Sequence, residues 1–241
     1  MAPLDLPHSG AAGRTTAEAP VATLAGLAEL LAERGDATAL VQLTRGAAQS
    51  TTGGSEVWSG AALAGAAIRT ARGLADAGVA TGDRVLVYAP ASPRWIIVCL
   101  GLLRLGAVPV PVDSQADAKD LAHIVAASGA QRAFTAAQLA RRLTEAVEDT
   151  APALVLLDGD ADAAPVGATT DAAQQADANG RSAATGSAGV AQTLADLAGS
   201  LDPDTAAEPA DTTGLPDAPA PGAEAVLFFT SGTPGRPRGC R

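Results

Sequence analysis

The residues best suited to chemistry stand together near the end of the chain. Thr230-Ser231-Gly232-Thr233-Pro234-Gly235-Arg236-Pro237-Arg238-Gly239 holds three hydroxyls, three glycines and two cations, directly after the apolar run Ala225-Val226-Leu227-Phe228-Phe229. Glycines let backbone N–H groups converge on an anion without Cβ interference, hydroxyls donate further hydrogen bonds to phosphate oxygens, and the cations offset charge. Together these are the parts of a phosphate cradle. The spacing is not that of a Walker A loop, because no glycine is followed four residues later by Gly-Lys-Ser/Thr. The same composition also suits a plain flexible loop, and these ten residues alone leave both readings open.

Other reactive side chains are isolated. His123 lies in a helical stretch beside Ile124 and Val125 and reads as a surface or packing histidine, and His8 lies in a polar N-terminal arm. Cys99 falls in an apolar helix as a small hydrophobe, whereas Cys240 reads as an exposed thiol. Trp95 reads as a packing anchor and Asp113, at the end of an extended segment, as structural. No residue is singled out as catalytic, and neither cysteine has a metal-ligand neighbour, so no metal site is expected.

Composition narrows the function classes. A net charge of -10 over 241 residues leaves no basic stripe to displace counterions, which excludes a nucleic-acid phosphate binder. Two distant cysteines fit a reduced intracellular protein rather than a disulfide framework. The start MAPLDLPHSG has neither a basic segment nor an apolar core of a secretory signal, and Trp95 to Leu103 is too short to span a bilayer. The expectation is a cytoplasmic protein with no membrane span. Alanine and glycine carry much of the apolar count, so helices are expected to pack through small side chains.

The elements that must position the loop alternate. After an arm over residues 1–20, Leu24, Leu27, Leu30 and Leu31 recur at helical spacing to Arg34, with Gly35 as the stop, and short strands follow over 39–44 and 56–58. Leu63, Ala67, Ala71 and Leu74 mark one face of a helix closed by Gly78. Strand 84–88, a helix capped by Ser92 with Pro93 first, and the segment Val108-Pro109-Val110-Pro111-Val112 come next; two prolines make the last an edge strand or an irregular extended segment. A helix over 116–128 with Asp117 and Asp120 in its first turn, strand 132–135, helix 137–147 and strand 153–157 complete the alternation, which predicts an α/β fold with a mostly parallel sheet flanked by helices. Residues 160–221 read as an acidic low-complexity insertion, mostly unable to order itself, with one short amphipathic helix near 190–201 marked by Val190, Leu194, Leu197 and Leu201. Residues 222–241 return to a strand, over 225–229, and the loop. There is no internal repeat.

The loop resembles the signature [ST]-[ST]-G-[ST]-T-G-x-P-K-G of the adenylate-forming (AMP-binding) superfamily, matching at Thr230, Ser231, Gly232, Thr233, Gly235, Pro237 and Gly239. Upstream, Gly82-Asp83-Arg84-Val85, Pro90-Ala91-Ser92-Pro93-Arg94-Trp95 and Leu103 to Asp113 resemble the family's GDRV, P-N-S-P-E-W and L-K-x-G-A-x-x-V-P-L-D blocks, and Trp58-Ser59 with Leu63 its T-Y-x-E-L. The likeness covers most of 22–158 and 223–239. It implies an incomplete N-terminal large domain of an acyl-CoA synthetase or fatty-acid ligase, with residues 21–159 as its first α/β part. The implied reaction joins a carboxylic acid to ATP as an acyl-adenylate, with Mg²⁺, and then passes the acyl group to CoA or a phosphopantetheine carrier. By the same resemblance Thr230, Ser231, Gly232, Thr233, Gly235, Arg238 and Gly239 bind the ATP phosphates. Pro234 replaces a hydroxyl residue and lacks an N–H, and Arg238 replaces a lysine, keeping charge but changing shape. By the resemblance the family's later motifs would follow Arg241, so this chain is expected to be inactive alone, with a separately encoded C-terminal remainder as a candidate partner. The alternative is a non-catalytic or split-protein interaction module derived from that family.

Overall fold

The computed structural model describes residues 23–43, 55–147, 152–157, 192–207, 211–230 and 238–240. The N-terminal arm, Val190 and most of the acidic stretch lie outside them.

A 3-10 turn, Leu24–Gly26, leads into helix α1, Leu27–Glu33. The predicted leucine stripe is only half-buried, with Leu31 packed on the core and Leu24, in the turn before the helix, 45% exposed, while Ala25 and Ala28 are buried. Close approach explains the difference. A Cβ on Gly60 would stand 2.3 Å from the carbonyl oxygen of Leu31, a distance that leaves room only for small residues at the contact. Strands β1, Thr38–Leu43, and β2, Ser55–Ser59, pair antiparallel and bring Trp58 into full burial.

Helix α2, Gly60–Asp76, begins where Ser59 Oγ accepts from Ala62 N–H at 3.1 Å. It is buried on nearly every side through alanine, glycine and Thr70, not only along the face of Leu63, Ala67, Ala71 and Leu74. Strand β3, Arg84–Tyr88, follows, then helix α3, Pro93–Leu105, capped by Ser92 accepting from Trp95 N–H at 3.2 Å and ended by Gly106 at φ 80°. Strand β4, Val108–Val112, is regular and lies at the sheet's edge, as one of the two readings of its prolines required. Helix α4 spans Ala118–Ser128, two residues later than the pattern suggested. Asp117 is its cap, accepting from Asp120 N–H at 2.8 Å, rather than a first-turn residue.

Strand β5, Arg132–Thr135, helix α5, Ala137–Val147, and strand β6, Ala153–Leu156, continue the alternation. Instead of one helix across 190–201, a two-residue strand β7, Gln192–Thr193, adds to the sheet and α6, Leu194–Ala198, follows at once. Thr193 ends the strand and starts the helix: its hydroxyl accepts from Asp196 N–H at 3.1 Å while the Asp196 carboxylate accepts from Thr193 N–H at 2.8 Å, a reciprocal cap that shortens the helix. The five strands are all parallel in the order β4-β3-β5-β6-β7.

Two cores cover the two faces. Trp58, Leu74, Val85, Val87, Ile97, Leu102 and Leu194 pack between the sheet and α2, α3 and α6. On the other face Leu86, Tyr88, Leu121, Ile124 and Leu143 pack beneath α4 and α5. Residues 211–227 then run back over the molecule. Leu215 packs on the first core, Arg72 pairs with Asp211 at 2.8 Å, and Arg104 reaches Glu29 at 2.6 Å and the Pro216 carbonyl at 3.1 Å. Thr213 and then Arg72 hold the Asp211 carboxyl well below the usual carboxylate range. Among the described residues no helix is long and apolar enough to cross a membrane.

Candidate functional site

Strand β8, Phe228–Thr230, and strand β9, Arg238–Cys240, form an antiparallel hairpin with Phe228 opposite Cys240, Phe229 opposite Gly239 and Thr230 opposite Arg238. The expected strand over 225–229 is thus displaced towards the loop. Ala225–Leu227 form no ladder because the neighbouring β4 turns two prolines outwards and offers them no N–H donors. The hairpin rests on the α4 face: Leu227 is buried, Phe229 packs on the second core, and the His123 ring meets Phe229 edge-on with centroids 6.4 Å apart. His123 is therefore a packing residue, as its helical context suggested.

Of the residues read as phosphate-binding, the structure brings together Thr230, the backbone of Arg238, and Gly239. Ser231, Gly232, Thr233 and Gly235 lie outside the described residues. Thr230 and Gly239 are exposed. Gly239 has its own steric reason to be glycine, since a Cβ there would stand 3.1 Å from Leu227 Cδ1 and 3.5 Å from the Phe229 ring. Pairing Thr230 with Arg238 makes residues 231–237 the connection of a hairpin, so a hydroxyl residue and a cationic residue flank its two ends.

Two clefts among the described residues lie elsewhere. A groove of about 860 Å³ is lined by Glu56, Arg94, Leu157, Asp202 and Asp204, and a cleft of about 190 Å³ lies between Leu24, Gly106, Ala107 and residues 219–225; neither takes in Thr230 or Gly239. Parallel α/β sheets commonly hold ligands beyond the strand ends where successive connections diverge, here between β3 and β5. Tyr88, the last residue of β3, stands at that end of the sheet. It is fully buried, its hydroxyl faces the Ser114 carbonyl at 3.5 Å, and burial raises the phenol pKa, opposed by Arg142 and reinforced by Asp113. Asp113 accepts from Gln115 N–H at 2.9 Å, the structural role its position suggested. No group of three or more His, Cys, Asp or Glu among the described residues converges as metal ligands would, so the phosphate reading rests on the loop's donors and cations alone.

Sequence reasoning missed Arg84 and Glu224. Their guanidinium and carboxylate meet in two bonds of 3.2 and 2.9 Å across 140 positions of chain. Arg84 stands in the Gly-Asp-Arg-Val block, but no periodicity marks Glu224 as its partner.

A match to the family model described as AMP-binding enzyme runs over residues 27–241. The chain belongs to the AMP-binding enzyme family. Over 104 residues it is 33% identical to the mitochondrial acyl-coenzyme A synthetase ACSM5 of Homo sapiens, a stretch that is 43% of this chain and 18% of that protein. The A-PCP didomain of carboxylic acid reductase from Segniliparus rugosus, solved with AMP, superposes with a TM-score of 0.65 at 17% identity, over 92% of this chain and 32% of that one. A long-chain-fatty-acid–CoA ligase from Archaeoglobus fulgidus superposes with a TM-score of 0.62 at 18% identity, over 90% and 36%. These likenesses show the fold of the AMP-binding enzymes, and the chain spans about a third of the length of those two structures.

The thiols of this AMP-binding chain differ in kind. Burial pushes the Cys99 thiol up to about 12, whereas Cys240 is exposed in β9. A thiol-reactive chromophore at neutral pH is expected to modify Cys240 and to reach Cys99 only after denaturation; prompt labelling of both in the native protein overturns this. A raised folded-state pKa stabilises below the ordinary value of 9.0, and that stability is lost as pH rises through about 12. Cys99→Ala is therefore expected to flatten that part of the alkaline unfolding curve.

Proposed function

We propose that this chain is the front part of an ATP-dependent, carboxylate-activating ligase, most specifically a fatty acyl-CoA or acyl-carrier ligase working in a reduced cytoplasmic setting. In that reaction a carboxylate oxygen bonds to the α-phosphorus of ATP, the bond to the β-phosphate oxygen breaks, and pyrophosphate leaves. The thiol sulfur of CoA or of a phosphopantetheine carrier then bonds to the acyl carbonyl carbon, the bond from that carbon to the AMP phosphate oxygen breaks, and AMP and the thiol proton leave. Residues 230–239 hold the β- and γ-phosphates: backbone N–H groups at Gly232, Gly235 and Gly239 and the hydroxyls of Thr230, Ser231 and Thr233 donate, and Arg238 offsets the charge that gathers on departing pyrophosphate. Mg²⁺ would travel with those phosphates.

The observation that carries this reading is the family match continuing through the loop to residue 241. The pairing of Thr230 with Arg238 supports it further, because it sets a hydroxyl residue opposite a cationic residue where the two strands of the hairpin meet residues 231–237. Calorimetry with MgATP tests it. The intact chain is expected to bind, and Gly232→Ala or Gly235→Ala to weaken binding at least tenfold by placing a Cβ where backbone must approach phosphate. Absence of heat with the parent chain sinks the proposal. Pyrophosphate exchange across a series of fatty acids is expected to give no turnover from this chain alone, and robust exchange would show that the front part suffices.

A further inference from the structure

Strand β8 is tied to the sheet by less than its neighbours are. Val108 donates its N–H to the Asp83 carbonyl at 2.8 Å, so the pleat turns the N–H groups of Val108 and Val110 towards β3 and positions 109 and 111 outwards. Both outward positions are proline, so the free edge of β4 offers acceptors at these places and no donors. Among the described residues one backbone bond crosses there, from Leu227 N–H to the Pro109 carbonyl at 3.1 Å. Leu227 and Phe229 add apolar contact, which is non-directional and does not fix how far β8 slides along the sheet.

Arg84 supplies what that attachment lacks. From the first position of β3 its Nε and Nη2 donate to the two carboxylate oxygens of Glu224 at 3.2 and 2.9 Å, and its Nη1 donates to the Ser128 carbonyl at the end of α4 at 3.2 Å. The paired side chains are 30% and 20% exposed, so solvent screens them less than a surface pair. Glu224, three residues before Leu227, is thereby fixed against both a strand and a helix end.

We propose that Arg84 and Glu224 are positioning residues for nucleotide binding: their forked ion pair sets the placement of β8, and so of Thr230 and the Arg238 backbone from which the loop springs. This rests on the phosphate-holding role of the hairpin. Arg84→Gln and Glu224→Gln each remove a charge while keeping bulk, and Arg84→Lys keeps the charge without the fork. In both glutamine variants of the intact chain, amides of 227–230 and 238–240 are expected to exchange with solvent five- to tenfold faster, roughly the worth of one shielded ion pair, while β3 and β5 stay protected. MgATP affinity is expected to fall by a similar factor and to recover in part with Arg84→Lys. Arg72→Gln, which removes the ion pair at the far end of the same segment, is expected to leave affinity unchanged. Should Arg84→Gln loosen the whole sheet, Glu224→Gln, whose residue lies outside it, decides the matter. Glutamine variants that bind MgATP as tightly as the parent, or an equal loss in Arg72→Gln, overturn the tether while leaving the phosphate reading in place. A parent chain that does not bind MgATP overturns that reading and the tether's nucleotide role with it.

Discussion

Gly73→Ala is expected to dislodge β7 and α6 from the domain. A Cβ at position 73 would stand 2.0 Å from the Leu197 carbonyl oxygen and 2.6 Å from its carbon. Both are backbone atoms, so no rotamer change relieves the overlap, and α6 as a whole must withdraw. Helix propensity argues the other way, because alanine in a helix interior is worth about 1 kcal/mol over glycine. Sterics win, since overpacking a fixed backbone costs about 1–3 kcal/mol and here also uncovers Leu194, which is fully buried. The net expectation is a loss of about 2 kcal/mol with new proteolytic cleavage within 192–207. Gly101→Ala is the companion case: its Cβ meets Thr70 side-chain carbons at 2.9 Å and the Ala67 carbonyl at 3.0 Å, and Thr70 cannot rotate freely because its hydroxyl donates to the Ala66 carbonyl at 2.8 Å. A smaller loss, felt across α2 and α3 rather than at α6, is expected there. Either variant melting above the parent refutes the steric account.

Trp58→Ala is expected to have the largest effect of any single truncation, about 3–5 kcal/mol. The indole is fully buried in the core that joins β2 to α2, α3 and the sheet, and its Nε1 donates to Glu56 Oε1 at 3.0 Å. Domains of this kind are stable by only about 5–15 kcal/mol, so the variant should lie near its unfolding midpoint in dilute urea. Trp58→Phe keeps most of the apolar volume and leaves a carboxylate that is half-buried, so water can still reach it; a markedly smaller loss is expected. Because the chain has two tryptophans, Trp95 remains as the fluorescent reporter of unfolding in both variants. A midpoint shift worth less than about 1 kcal/mol for Trp58→Ala would remove Trp58 from its place as anchor.

How much of this was legible in the sequence depends on whether the determining contact was local. The alternation of β-branched runs and helical stripes from Arg84 to Leu156 is a local signal, and four of the five strands of the parallel sheet follow it closely; the fifth, β7, lies outside that stretch. Capping is local too, and Ser92 and Gly106 stand where expected, although Asp117 caps α4 rather than lying inside it. What failed was set at a distance. The fully buried positions of α1 and the turn before it are Ala25 and Ala28, with the leucines of α1 only half-buried, because α1 approaches α2 too closely for large side chains at the contact, which no stripe of leucines reveals. Within the acidic stretch 160–221 the apolar positions Leu194 and Leu201 join the first core as their spacing suggested, but nothing local marked Ala206 as core or Ser200, Asp211 and Pro216 as the points that Arg69, Arg72 and Arg104 hold from far away in the chain. The chemistry of the loop was visible from its residue types, but the ion pair behind it was not, because Arg84 and Glu224 are brought together by the fold across 140 positions of chain.

The outward prolines of β4 also bear on how the protein survives its own synthesis. Arg84 and Glu224 are separated by 140 residues, so a ribosome adding roughly 5–20 residues per second leaves β4 without its cover for roughly 7–28 s after β3 appears. An open strand edge in that interval is a template on which another nascent chain can add a ladder. Pro109 and Pro111 withhold the amide protons such a ladder needs, so the feature that leaves β8 weakly bonded in the finished fold keeps the half-made one from sticking to its neighbours.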